Sequence, residues 1–318
     1  MSYIRALLAL LMSLCLPGQL FANDPNIQNF LIQTDYQIYD TQVRYITDHL
    51  EDASGFIVFV QGSGSTSFSE NGVGFDQFVE QILFEQNYAV IYQNKRGVGK
   101  TSGNRQRSSI ESRAEDVLAV FNFYDEILAN GNLPGGVIGH SQGGWVVQIL
   151  AAKDSAIDFA ISLSGSVRTV EQEDLYRTAV NGVCEGLTEK QIAKKVNKRE
   201  RILNRMKFIG TFVPFLDNQL MANMLKYQPE PQVSNLKVPM LMAFAGSDSI
   251  VSLDDNLERL SDMFPTELPE RLKVIVIDDA DHLFRLTNTL CFDYFRHGEF
   301  AEQLHFELNR WLNELAAG

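Results

Sequence analysis

Positive charge is scarce in this chain: 27 lysines and arginines stand against 40 aspartates and glutamates, a formal net charge of −13 at pH 7. Proteins that hold nucleic acid gather cations to neutralise its phosphates, so this balance argues against nucleic acid as a partner. Low-complexity segments are absent, and no apolar run is long enough to cross a bilayer. The longest, Ala6 to Leu16, is too short and is broken by Pro17-Gly18. Preceded by Arg5 and followed by Leu20-Phe21-Ala22, it has the layout of an export signal, which sets residues 1–22 apart with cleavage expected after Ala22. Cys15 follows Leu14, where a lipoprotein signal would have a small residue, so no lipid anchor is expected. The expected destination is the periplasm or the medium. Cysteine is also sparse, at three residues. Beyond the signal only Cys184 and Cys291 remain, and the sequence leaves open whether they form a disulfide or two buried thiols.

The most informative stretch runs from Gly135 to Val147. Its centre, Gly139-His140-Ser141-Gln142-Gly143, reads G-x-S-x-G, with a short apolar run before it and a helix-forming segment after it. Strand, sharp turn and helix would hold Ser141 at the strand's carboxyl end, with the amide of Gln142 at a helix N-terminus. Both favour acyl chemistry.

The flanking chain has a repeating order. Ile27 to Thr47 alternates loosely and predicts two or three antiparallel strands at a sheet edge. Phe56 to Val60 is apolar throughout, as strands buried on both faces are, and Tyr88 to Tyr92, Phe159 to Leu163 and Pro239 to Ala245 read as further strands of the same core. Helical periodicity covers Phe75 to Gln86 and Ser112 to Leu128, with Ser112 and Glu115 as an expected capping box. Strand-helix repeats with right-handed crossovers predict a doubly wound, mostly parallel sheet. The repeat stops between Ser166 and about Leu236, where helical patterns without strands predict a cap inserted after the sixth strand. The expected organisation is signal 1–22, α/β core 23–165, helical cap 166–236, and core again 237–318. Within the cap an apolar stretch from Phe208 to Leu225 offers Phe212, Phe215 and Met221 as candidates for an acyl-binding wall. Gly99-Lys100-Thr101 imitates a phosphate loop, but Asn94 stands where that loop needs glycine, and no helix follows directly.

A serine hydroxyl needs a base within reach, and the base needs an acid to fix its tautomer. In a doubly wound sheet these groups come from loops at the carboxyl ends of strands. Of five histidines, only His282 directly follows a core strand, Leu272 to Ile277. By the same rule Asp248, which ends the preceding core strand, is the acid. Asp254 and Asp255 lie past the turn, and Asp281 adjoins His282 too closely. The chemistry so assembled calls for no metal and no cofactor.

With Ser141, Asp248 and His282 in that chain order, the sequence from about Gly55 onward resembles the α/β-hydrolase superfamily. Lys95-Arg96-Gly97-Val98-Gly99-Lys100-Thr101-Ser102-Gly103 is similar to the loop after strand four in its serine esterase and acyl-aminopeptidase-like branch. Asn94 replaces the aspartate common before that loop, and Gln61-Gly62 replaces the usual His-Gly after strand three. The resemblance implies an oxyanion hole formed by the amides of Gln142 and of Gly62 or Ser63. It also implies a serine hydrolase that cleaves a small-molecule carboxylic ester through an acyl-enzyme. The alternatives are a thioesterase or peptidase using the same three residues, or a non-catalytic binding protein that keeps the fold.

Overall fold

A computed structural model describes residues 25–68, 74–129, 133–153, 156–212, 219–291, 293 and 298–317. The expected signal segment therefore lies outside the described residues. The chain opens with a hairpin of β1 (Asn26–Gln33) and β2 (Ile38–Tyr45). There follow β3 (Gly55–Val60), α1 (Gly74–Glu85), β4 (Tyr88–Gln93), α2 (Ile110–Ala129), β5 (Gly135–His140), α3 (Gln142–Ala152) and β6 (Phe159–Leu163). Four helices come next: α4 (Val170–Cys184), α5 (Glu189–Phe212), α6 (Leu220–Met224) and α7 (Glu230–Val233). The core pattern then resumes with β7 (Met240–Ala245), α8 (Leu253–Met263), β8 (Leu272–Ile277) and α9 (Glu302–Ala317).

One eight-stranded sheet runs in the order β1-β2-β4-β3-β5-β6-β7-β8. β1 and β2 pair antiparallel, β2 meets β4 antiparallel, and every later pairing is parallel. The apolar runs follow from this position, because alternate side chains of a central strand enter different layers. Phe56, Val58 and Val60 of β3 pack into the layer shared with α2, α3 and α8, whereas Ile57 and Phe59 face the layer of α1 and α9. In β7 the same division separates Met240, Met242 and Phe244 from Leu241, Ala243 and Ala245.

The chain passes from β3 outward to β4, then returns to place β5 on the other side of β3. That reversal is a topological switch point, where loops at the carboxyl ends of neighbouring strands separate and leave a crevice. The loop after β3 and the turn after β5 flank it.

Cys184, at the end of α4, is bonded to Cys291, beyond His282, with Cα atoms 5.5 Å apart. Both residues are exposed, so the alternative of buried thiols is set aside.

Candidate active site

Ser141 sits between β5 and α3 with φ 55° and ψ −118°. This conformation is strained for a residue with a Cβ, by about 1–3 kcal/mol, and its surroundings enforce it. The Ser141 amide donates to the Leu163 carbonyl at 2.8 Å, and the Gly144 amide donates back to the Ser141 carbonyl at 2.8 Å. The turn is too tight for side chains at its flanks: a Cβ on Gly139 would strike the Gly143 carbonyl, and one on Gly143 would strike that of Val60. As the first residue of α3, Gln142 has an amide with no acceptor inside its own helix.

Asp248 and His282 come together as the strand-end rule predicts. His282 Nδ1 donates to Asp248 Oδ2 at 2.7 Å. The other carboxylate oxygen accepts from the amides of Ile250 at 2.8 Å and Val251 at 2.9 Å. Fixed at three points, the carboxylate assigns the ring proton to Nδ1 and leaves Nε2 as the acceptor nitrogen. Tyr176 of α4 donates its hydroxyl to the Asp248 carbonyl at 2.9 Å. The rival acids are engaged elsewhere: Asp281 accepts from Arg285 Nε at 2.8 Å, and Asp255 takes Arg168 at 2.5 Å. His305 faces Glu85 on the surface at 2.8 Å.

Ser141 and His282 line one cavity of about 220 Å³, together with Gly62, Ser63, Lys95 and Arg177. Gly62 lies against the turn, since a Cβ there would come within 3.2 Å of Ser141 Cβ. Neither Gly62 nor Ser63 donates its amide to a backbone carbonyl among the described residues.

Of the three candidates for an acyl wall, only Met221 has a described side chain. Met221 is half-buried against the hydrophobic core and is not part of the lining of the Ser141 cavity. The side chains of Phe212 and Phe215 lie outside the described residues. From the same apolar stretch it is Met224 that reaches the serine turn, its Sδ accepting from Gln142 Nε2 at 2.9 Å.

Four polar neighbours were not singled out from the sequence. His140 donates from Nε2 to the His282 carbonyl at 2.9 Å. Lys95 and Arg113 bond to the loop after β3, and Arg177 reaches the cavity from α4. Asn94 is explained by its partners: it donates to Asp40 Oδ2 at 2.9 Å and accepts from the Phe68 amide at 2.9 Å. An aspartate there would set two carboxylates face to face.

The family model for serine aminopeptidase, S33, matches residues 51–283, a segment that contains Ser141, Asp248 and His282. The chain belongs to this α/β-hydrolase family. Among solved structures, this hydrolase is similar to Est1E from Butyrivibrio proteoclasticus, determined with ferulic acid bound. The TM-score is 0.60 at 17% identity, covering 91% of this chain and 100% of that one. The Pyrococcus furiosus esterase Pf2001 gives a TM-score of 0.60 at 14% identity, covering 91% of each chain. A serine hydrolase homologue from Coxiella burnetii gives 0.51 at 14% identity, covering 90% and 95%. At such identities the likeness is one of fold. An uncharacterized 31.7 kDa Escherichia coli protein from the traX-finO intergenic region is 25% identical over 187 residues, 52% of this chain. The match spans 64% of that relative's length. Among the described residues, no helix is long and apolar enough to cross a membrane.

Proposed function

We propose that this hydrolase cleaves a carboxylic ester through an acyl-enzyme on Ser141. His282 takes the hydroxyl proton as Ser141 attacks the carbonyl carbon and then returns it to the leaving alcohol. Water, deprotonated by the same histidine, releases the acid. Asp248 holds the ring in the required tautomer, and the Gln142 amide with that of Gly62 or Ser63 would receive the developing oxyanion. The observation that carries this reading is the 2.7 Å bond from His282 Nδ1 to Asp248, on a ring that borders the same cavity as Ser141. Esterases among the structural neighbours support the ester.

A second reading, hydrolysis of an amino-terminal peptide bond, is favoured by the family's description and by Asp76 in the cavity lining, where a carboxylate could meet a substrate ammonium. Labelling with a fluorophosphonate, followed by a panel of p-nitrophenyl esters and aminoacyl p-nitroanilides, tests both. Labelling lost in Ser141→Ala, with turnover of esters, is the expected result. Turnover of the anilides alone would select the peptidase, and no labelling would leave a binding protein with the fold. The proposal extends to export, supported by the composition of residues 1–22 and by the Cys184–Cys291 disulfide, a bond of oxidising compartments.

A further inference from the structure

The loop after β3 is held by two cations, neither of which has a part in the chemistry proposed above. Lys95, just past β4, donates from Nζ to the carbonyls of Gly62 at 2.6 Å and Gly64 at 3.0 Å. Arg113, in the first turn of α2, donates from one guanidinium nitrogen to the Gln61 carbonyl at 2.7 Å and from another to Gln142 Oε1. Arg113 thus bridges the loop after β3 and the first residue after Ser141, the two segments that carry the candidate oxyanion amides.

A peptide unit is planar, and its carbonyl and the following N–H point in opposite directions when it is trans. The described chain contains no cis peptide bond. A carbonyl fixed at Gln61 therefore fixes the direction of the Gly62 amide, and a carbonyl fixed at Gly62 fixes that of Ser63. We infer that Arg113 and Lys95 are positioning residues of the oxyanion hole, Arg113 setting the Gly62 amide and Lys95 setting the Ser63 amide. The inference rests on Ser141 being the nucleophile.

Their chemistry fits the task better than simple bracing. The hydrogen-bond acceptors named above are neutral, two carbonyls for Lys95 and a carbonyl and a side-chain amide oxygen for Arg113, and the nearby carboxylates, Asp76 for Lys95 and Asp116 for Arg113, offset only part of the effect of burial. Burying a cation among neutral partners is costly, and apolar side chains would fill the same space without that cost. Burial pushes the Arg113 guanidinium down to about 10 and the Lys95 ammonium well below its usual range, helped by the nearby charges of Arg113 and Arg105. What the cations supply that apolar groups cannot is a set of N–H donors with fixed directions.

The test compares purified wild type with Lys95→Met, Lys95→Arg, Arg113→Lys and Ser141→Ala. Two quantities are read with a fluorophosphonate: the end-point number of labelled serines, and the second-order rate constant of labelling, whose phosphoryl oxygen must enter the same hole. Misdirecting one oxyanion donor costs on the order of ten- to a hundredfold. Lys95→Met should lower the rate constant by that factor while the titratable sites remain, and kcat on p-nitrophenyl acetate per titrated site should fall in parallel with KM within about threefold. Lys95→Arg, which keeps donors, should recover part of the loss, and Arg113→Lys, able to reach fewer acceptors, should fall between. A structural role would instead lower the number of titratable sites and leave the rate constant per site within twofold of wild type, which would overturn the inference. If Lys95→Met fails to fold, a rate constant for Arg113→Lys equal to wild type overturns it for Arg113, and an equal one for Lys95→Arg and Lys95→Gln does so for Lys95. Labelling that persists in Ser141→Ala would show that the nucleophile itself is misassigned, a separate failure.

Discussion

His140 donates from ring Nε2 to the backbone carbonyl of His282 at 2.9 Å, so the residue before the proposed nucleophile holds the main chain of the proposed base. A carbonyl oxygen only accepts, which places the His140 proton on Nε2. The two rings are 4.9 Å apart, and Phe75 closes the other side of His140 at 4.6 Å. Burial, then the neighbouring His282, pushes the His140 imidazole down to about 3.

That depression makes a prediction about acid stability. In the unfolded chain a histidine titrates near ~6.5. Between that pH and about 3 the unfolded state binds a proton that folded His140 refuses, so stability is present in full above ~6.5 and is lost as pH falls, by up to about 1.4 kcal/mol per unit. His140→Gln keeps an N–H donor for the His282 carbonyl but has nothing to titrate. Its melting temperature should fall less between pH 7 and pH 4.5 than that of wild type, as followed by circular dichroism. Parallel losses in the two proteins would show that His140 is not held neutral.

Asp248→Asn isolates the role of the carboxylate. The asparagine oxygen can still accept from the Ile250 and Val251 amides, which preserves the turn, but its NH2 group then faces His282 Nδ1 and forces the other tautomer. On the precedent of such triads kcat should fall by about 10⁴, with a small change in melting temperature. The control is Asp255→Asn, which breaks only the bond to Arg168 and should keep near-normal turnover. Wild-type activity in Asp248→Asn would remove Asp248 from the chemistry.

The disulfide ties the end of α4 to the segment that follows His282, across 107 residues of sequence. Closing a loop of that size restricts the unfolded chain by about 4–5 kcal/mol in the chain-entropy model, and natural bonds typically deliver about 2–4. Cys184→Ser and reduced wild type should therefore melt several degrees lower than oxidised wild type, by similar amounts. Exported protein should begin at Asn23 and titrate no free thiol under denaturing conditions. A thiol count of two in that material would deny the bond.

Much of this arrangement is legible in the sequence because burial on both faces leaves a plain mark. The fully buried run Phe159–Leu163 forms β6 with the expected bounds, the partly buried run Leu272–Ile277 forms β8 at the sheet edge, and Asp248 and His282 are chosen from strand ends. Side chains that bond to backbone are harder to read. Ser112 and Glu115 predict the start of α2, yet the helix opens at Ile110. There Ser109 and Ser112 exchange side-chain bonds with each other's amides at 3.1 and 2.9 Å. Lys95 opens the stretch that resembles the loop after strand four, but its bonds to the carbonyls of Gly62 and Gly64 left no trace, since a carbonyl partner has no sequence signature. Arg113 did leave one: it falls on the helix face of Val117, Val120 and Tyr124, all buried, and a charge on a buried stripe needs partners. The pairing of Cys184 with Cys291 depends on the tertiary fold alone.

On the proposed ester chemistry, the cavity beside Ser141 bounds the acyl group that fits. The apolar stretch of the inserted helices predicts a long hydrophobic wall, but Phe208 and Ile209 are exposed and Met221 faces the core. The described apolar lining near Ser141 is Phe75, Ile250 and Leu283, beside the polar Thr66, Asp76, Lys95 and Arg177. A volume of about 220 Å³ equals roughly seven waters at about 30 Å³ each, room for a short acyl chain. Burial contributes about 0.8 kcal/mol per methylene, so kcat/KM on p-nitrophenyl esters should climb roughly threefold to fourfold per carbon from acetate to butyrate. It should then fall by octanoate, when the chain must leave the cavity. Ile250 holds Asp248 through its backbone amide, so its side chain can be changed without losing that bond. Ile250→Ala should move the optimum toward longer acyl groups, and Ile250→Phe toward acetate. A profile that keeps rising through octanoate and ignores both substitutions would place the acyl group against another wall.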